Sequence, residues 1–247
     1  MAVDEFLFRS LGEEPVTYLR FYQWERPTAS LGYGQRAERV VDPEFCRLNG
    51  IDIVRRQTGG KLVLHHGEIT YSVVSNDVDT FTSTLGGSYK LISQALVKGL
   101  EKIGLSASLS AQAPPFYSRG TMPCFSHPAQ DEIEIGGLKI VGSAQKRKGG
   151  RFLQHGSIPL AHDEELLRAV SLYKTEGGIL MTSLGRELGR EVDFEWGVER
   201  LKDGFAEFFR VILQPLTFND SEWGRIREIE SRKYADPRWT FEAIEPA

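Results

Sequence analysis

The chain has 247 residues, 40 % hydrophobic and 26 % charged, which excludes low-complexity disorder, collagen-like repeats and a disulfide scaffold. A chain this long buries roughly three quarters of its unfolded surface without staples. The 30 basic and 34 acidic residues create no global field toward nucleic acid or an anionic membrane.

No apolar run reaches the roughly 20 residues of a membrane span, and the acidic start Met1-Ala2-Val3-Asp4-Glu5 is unlike a signal peptide. Cys46 and Cys124 lie far apart and form no metal-ligand spacing. These features predict a cytoplasmic protein with no metal site.

Along the chain, residues 16–24 alternate and are aromatic-rich, predicting a strand. Residues 43–48 read as a short helix stopped by Asn49-Gly50, and 51–55 and 69–75 as β-branched strands. Apolar residues at helical spacing predict a helix over 88–103 with Gly104 as its C-cap. Residues 111–122, with Pro114, Pro115 and Gly120, read as a loop. The runs 132–135 and 138–141 around Gly136-Gly137 predict a hairpin. A strand over 152–160 and helices over 163–170 and 197–213 follow, the last with Val198, Leu201, Phe205, Phe208 and Phe209 as its apolar side. Strands and helices interleave without a regular βαβ period. That predicts one α+β domain over 1–247, built on a mixed, largely antiparallel sheet flanked by helices.

Three segments carry candidate chemistry. In Arg55-Arg56-Gln57-Thr58-Gly59-Gly60-Lys61, a glycine pair after a strand lets backbone N–H groups approach an anion or carbonyl; it reads equally as a tight turn with a basic rim. In Leu138 to Lys148, alternation puts Lys139 opposite Leu138 and Ile140, by default on a solvated face, while Gly142, Ser143 and Ala144 leave room for a ligand. Lys146, Arg147, Lys148 and Arg151 form a charged hairpin tip or a dock for an acidic partner. In Met122-Pro123-Cys124-Phe125, the thiol is either packing or an activated thiolate. Cys46 reads as packing, His127 and His162 as surface residues, and His155 as a core histidine or a pocket wall.

Together these segments resemble the lipoate–protein ligase and lipoyl/octanoyl transferase family. The matching residues are Arg55-Arg56-x-Thr58-Gly59-Gly60 with Val63 and His65, Glu68-Ile69-Thr70-Tyr71-Ser72, Gly137-x-Lys139-Ile140-Val141-Gly142-Ser143-Ala144-Gln145, and Gln154-His155-Gly156-Ser157-Ile158. Arg20-Phe21-Tyr22-x-Trp24, Ser30-Leu31-Gly32, Asp4-Glu5, Lys233-Tyr234 and Trp239 also fit. The resemblance implies the biotin/lipoate protein ligase catalytic-domain fold, with an acyl group held beside the Thr58-Gly59-Gly60 loop.

Lys61 and Leu62 stand where ligases carry a third glycine and a small residue, and no Arg-Asn-Asp precedes the hairpin. Cys124-Phe125-x-x-Pro128 instead resembles the cysteine-dependent octanoyltransferases. The resemblance thus implies Cys124 as nucleophile and Lys139 as general acid and base. Arg56, Thr58, Gly59, Gly60, His65, Gly142, Ser143, Ala144, His155 and Gly156 would bind substrate. Octanoyl-acyl carrier protein would be the donor, and a lipoyl domain or glycine-cleavage H protein the acceptor, with no cofactor. An ATP- and Mg-using ligase and an amidotransferase are the rivals. Leu62 is expected to reshape the acyl tunnel, His66 replaces a usual Asp, and a strand that precedes the first helix in relatives is expected to be missing.

Overall fold

The computed structural model describes residues 1–110, 132–161, 163–173 and 179–245. Helix α1 (Ala2–Ser10) leads into β1 (Thr17–Tyr22), β2 (Thr28–Leu31), α2 (Pro43–Leu48), β3 (Asp52–Arg55), β4 (Val63–His65) and β5 (Glu68–Ser75). Then come α3 (Leu85–Ile103), β6 (Ser108–Leu109), β7 (Ile133–Ile135), β8 (Leu138–Lys148), β9 (Arg151–Pro159) and α4 (Glu164–Val170). The chain continues with α5 (Leu184–Leu188), α6 (Phe194–Phe209), α7 (Asp220–Ile229) and two π-helical turns, Glu230–Tyr234 and Arg238–Glu242. The expected mixed, largely antiparallel α+β architecture is what is found.

Six strands form an antiparallel sheet in the order β1-β5-β9-β8-β7-β6. The smaller sheet has the order β3-β2-β4, with β2 parallel to β3 and antiparallel to β4. The turns follow from glycine: Gly136, Gly137, Gly149 and Gly150 all take positive φ, which suits the right-handed twist of two-residue hairpins.

Alternation along the large sheet sorts its two faces. Ile69, Tyr71, Val73, Phe152 and Ile158 join Ile92, Leu96, Leu100, Leu201 and Phe205 of α3 and α6 in the main core. Those helices approach so closely that a Cβ on Gly204 would lie 2.2 Å from the Gly99 nitrogen. On the opposite face, Val74 and Leu153 pack with Phe6 and Leu7 of α1 and Ile226 of α7. Glu68, Thr70, Ser72, His155 and Ser157, all buried, occupy the same alternating positions of β5 and β9 as Val74 and Leu153. A buried polar face of this kind must be satisfied by partners, and those partners define the site.

Three sequence expectations are corrected. The helix expected over 197–213 ends at Phe209, where Arg210 turns left-handed at φ 55°, and Ile212 beyond it is 91 % exposed. Lys139 is not solvated: the 179–182 segment pairs alongside β8, taking up both the N–H and the C=O of Lys139, and the side chain is fully buried with Nζ 2.6 Å from Glu132. Leu62 packs under the smaller sheet with Ala29, Leu31 and Val170 rather than lining the cavity described below. Cys46 packs in that same cluster, and burial pushes its thiol up to about 11. No helix among the described residues is long and apolar enough to cross a membrane.

Candidate active site

A narrow cavity, with about 370 Å³ of empty space including its mouth, opens between the two sheets. Its wall includes Arg56, His65, Gly142, Ser143, Ala144, His155 and Gly156, seven of the residues expected to bind substrate. Thr58 is a buried hydrogen-bond partner of one of them, while Gly59 and Gly60 are exposed. A larger and more open cavity, with about 1080 Å³ of empty space including its mouth, lies between α1, α7 and the C-terminal turns, and none of the expected residues line it. Lys139 is absent from both linings. Cys124, His127 and the loop expected over 111–122 lie outside the described residues, as does His162.

The two arginines before the glycine pair do not form a basic rim. Arg55 is buried, and its guanidinium donates to the carbonyls of Gly32, Tyr33 and Gln35 at 2.7–3.0 Å and to those of Trp239 and Thr240 at 3.0 Å. Arg56 donates to the Ser30 carbonyl at 2.9 Å and to the carbonyls of Gly59 and Lys61 at 2.9 and 2.6 Å. Gly32 completes the clamp, because a Cβ there would sit 2.0 Å from the Gly60 oxygen. The loop is therefore held by planar guanidinium forks that match several carbonyls at once.

The first polar chain runs from Thr58 through His155 to Asp4. Thr58 Oγ1 lies 2.6 Å from His155 Nε2. His155 Nδ1 stands 3.9 Å from Asp4 Oδ2, beyond hydrogen-bond reach, and has no bonded partner among the described residues. Burial holds the imidazole below its ordinary pKa although Asp4 pulls the other way. Burial would raise the Asp4 carboxyl, but the facing His155 and Arg20, whose guanidinium lies 3.0 Å away, outweigh it and hold the group well below the usual carboxylate range. Ser72 also donates to Asp4, at 2.9 Å.

Because Asp4 titrates lower folded than unfolded, its stabilisation is complete above the ordinary carboxylate pKa of about 3.9 and is lost as pH falls. Asp4→Asn is expected to flatten the fall in unfolding free energy between about pH 4 and pH 2, which denaturant titrations at each pH will read.

The second chain is centred on His65, whose Nδ1 lies 2.7 Å from Glu68 Oε1 and whose Nε2 lies 2.8 Å from Ser30 Oγ. Trp24 stacks on the imidazole at 4.3 Å. Glu68 also accepts from the hydroxyls of Thr70 and Ser157. The third chain supports Ser143: its hydroxyl meets Tyr71 Oη at 2.6 Å, and Gln154 donates to Tyr71 at 2.9 Å. Burial pushes the Tyr71 phenol up to about 12, against the hydrogen bonds from Gln154 and Ser143.

Gly156 lies against the third chain. A Cβ there would stand 2.5 Å from the Gly142 carbonyl, 2.6 Å from Tyr71 Cε1 and 2.8 Å from Ser143 Oγ. Gly156→Ala is expected to cost about 1–3 kcal/mol as overpacking, seen as a lower urea midpoint at unchanged m, and to narrow the cavity.

Sequence reading assigned no site role to Asp4, Ser30, Glu68 or Ser157. The signal available was the polar alternation of Glu68, Thr70 and Ser72 within a strand that is buried along its whole length. The basic cluster also divides: Lys146 bonds Gln57 at 3.0 Å and Arg147 bonds the Thr82 carbonyl at 2.9 Å, leaving Lys148 exposed at the hairpin end.

Comparison with known proteins bears on the family and the fold. The family model of the lipoyl protein ligase A/B catalytic domain matches residues 1–206. The octanoyltransferase LipM of Moorella thermoacetica is 38 % identical over 252 residues, covering 97 % of this chain and 92 % of its own. That of Geobacillus kaustophilus is 36 % identical over 260 residues, covering 98 % and 92 %. Among solved structures, a lipoate-protein ligase A bound with ATP superposes with a TM-score of 0.80 at 26 % identity, covering 98 % of this chain and 93 % of that one. A chain from an archaeal lipoylation system of Thermoplasma acidophilum, comprising a bipartite lipoate protein ligase and its E2 lipoyl domain, gives 0.77 at 25 % identity, covering 100 % and 92 %. By sequence and by fold, the chain belongs to the lipoyl protein ligase A/B catalytic domain family.

Proposed function

We propose that this chain is an octanoyltransferase of lipoate biosynthesis, moving the octanoyl group from octanoyl-acyl carrier protein to a lysine of a lipoyl domain or of glycine-cleavage H protein. The observation that carries this reading is the near full-length similarity to octanoyltransferases, in a chain whose narrow inter-sheet cavity is walled by Gly142, Ala144 and Gly156. As an acyltransferase it starts from a thioester, so passing the acyl group to a cysteine is nearly isoenergetic and needs no ATP.

In this reading the Cys124 thiolate attacks the donor thioester, the carrier thiol leaves, and the octanoyl group rests on Cys124. The acceptor lysine amine then displaces Cys124 to form the amide. Lys139, buried against Glu132, is proposed to take and return the protons. Glu132 follows Cys124 by eight residues, so this pair anchors the strand end from which the Cys124 segment departs. Backbone N–H groups near Gly59-Gly60 or Gly142-Ser143 are proposed to hold the tetrahedral oxyanion, each donor worth about 3 kcal/mol. The occupation of Arg55 and Arg56 by backbone carbonyls supports a site that does not rely on them to bind an adenylate.

The likeness to lipoate ligases favours one rival, ATP-dependent activation of a free acid. Octanoyl-acyl carrier protein without ATP is expected to octanoylate a lipoyl domain, and free octanoate with ATP and Mg is expected not to. Activity confined to the second mixture would establish the ligase instead.

A further inference from the structure

The three side chains Ser30, His65 and Glu68 come from β2, β4 and β5 and meet in one line. Ser30 Oγ lies 2.8 Å from His65 Nε2, and His65 Nδ1 lies 2.7 Å from Glu68 Oε1. A hydroxyl, an imidazole and a carboxylate joined at these lengths form the nucleophile–base–orienter arrangement of serine acyl-transfer sites. Ser30 and His65 both face the cavity, and Glu68 is buried behind them.

Three further features tune the line for chemistry. Glu68 fixes the proton on His65 Nδ1, which leaves Nε2 as an acceptor for the Ser30 hydroxyl. Trp24, stacked on the ring at 4.3 Å and itself donating to Thr70 Oγ1 at 2.9 Å, prevents the imidazole from turning away. Arg56 Nη1 donates to Ser30 Oγ at 3.1 Å, so a guanidinium stands where negative charge develops as the hydroxyl ionises.

We propose that Ser30, His65 and Glu68 form a second acyl-accepting centre in the cavity, which gives the protein an esterase and thioesterase activity independent of Cys124. The proposal rests on reading the cavity as the acyl pocket. In the first step Ser30 Oγ bonds to the acyl carbonyl carbon and its proton passes to His65 Nε2. The C–S or C–O bond to the leaving group then breaks, and the leaving group takes that proton. In the second step water attacks the Ser30 ester and gives its proton to His65. The C–O bond to Ser30 breaks, Ser30 regains its proton and the free acid departs. The sum is thioester, or ester, plus water giving acid plus thiol, or alcohol.

The test uses the full-length chain. Cys124→Ala is expected to hydrolyse 4-nitrophenyl octanoate, and adding Ser30→Ala or His65→Gln is expected to lower that rate about 100-fold. Independently of any variant, an octyl fluorophosphonate is expected to label the wild-type protein on Ser30, with fluoride as leaving group, as mapped by peptide mass spectrometry. The proposal is overturned if Ser30 stays unlabelled, or if hydrolysis by Cys124→Ala is the same with and without Ser30. Octanoyl transfer to a lipoyl domain, run in parallel, separates the two readings. Transfer by the wild type with Ser30 unlabelled removes the second centre alone, whereas a labelled Ser30 without any transfer removes the Cys124 mechanism alone.

Discussion

Cys124→Ala is expected to lower octanoyl transfer from octanoyl-acyl carrier protein to a lipoyl domain by about 10⁴-fold or more. The size follows from what the thiol does in the proposed route. Without it, the acceptor amine must meet the carrier thioester directly, with both macromolecules docked at once. With it, one difficult encounter becomes two easier ones joined by a covalent intermediate. Cys124→Ser tests the same point from the chemical side: its alcohol is far less ionised than a thiol at neutral pH, so it is expected to recover little of the loss. Melting curves of each variant distinguish lost chemistry from lost fold. Cys46→Ala provides the internal control for the thiol chemistry. Its thiol is buried and pushed up to about 11, so its removal is expected to lower stability through the vacated volume and to leave transfer by the folded fraction unchanged.

The largest expected effect on stability belongs to Arg55→Ala, at about 3–5 kcal/mol. Arg55 joins three parts of the chain that are remote in sequence: the Gly32–Gln35 turn, the end of β3, and the C-terminal π-helical turn carrying Trp239. The indole of Trp239 returns the contact by donating to the Arg55 carbonyl at 2.8 Å. Removing the guanidinium takes the donor from the Tyr33, Gln35 and Thr240 carbonyls, while those of Gly32 and Trp239 keep only their backbone donors Gln35 N and Ala243 N, and a carbonyl left buried without a donor costs about 1–3 kcal/mol before relaxation. For a chain of this length the melting temperature is expected to fall by about 10 °C. Arg55→Lys is expected to recover little, because a single ammonium cannot fork between carbonyls on two sides. Loss of the Gly32–Gln35 anchor also loosens the Gly59-Gly60 loop, where Tyr33 N donates to the Thr58 carbonyl at 2.8 Å. Transfer activity is therefore expected to fall along with stability.

How much of this was legible in the sequence depends on the range of the interaction. The hairpin at Gly136-Gly137 and the helix closed by Gly104 are local, and each forms as its own residues dictate: Gly104 takes φ 97° as the left-handed cap. The end of α6 was not legible, because Val211, Ile212 and Leu213 continue an apolar run that the structure leaves outside the helix. Strands β2 and β4 have four and three residues, too short for any periodicity to emerge. Lys139 shows the limit of alternation, which predicts the face but not its burial.

The candidate site follows the same rule. The glycines and the histidines at 65 and 155 stood out by their residue type and motif. Asp4, Ser30 and Glu68 stood in matching motifs without assigned roles, since their roles come from partners elsewhere in the chain. Ser30 is 35 residues from His65, and Asp4 is 68 from Ser72. Only folding brings such groups together.

The most direct test of the mechanism is intact-mass analysis of the full-length protein mixed with octanoyl-acyl carrier protein, followed by peptide mapping of any adduct. The proposed route predicts one hydroxylamine-labile octanoyl group on Cys124, which is discharged when a lipoyl domain is added. Transfer to the lipoyl domain that proceeds with no octanoyl group ever detected on Cys124 would contradict it.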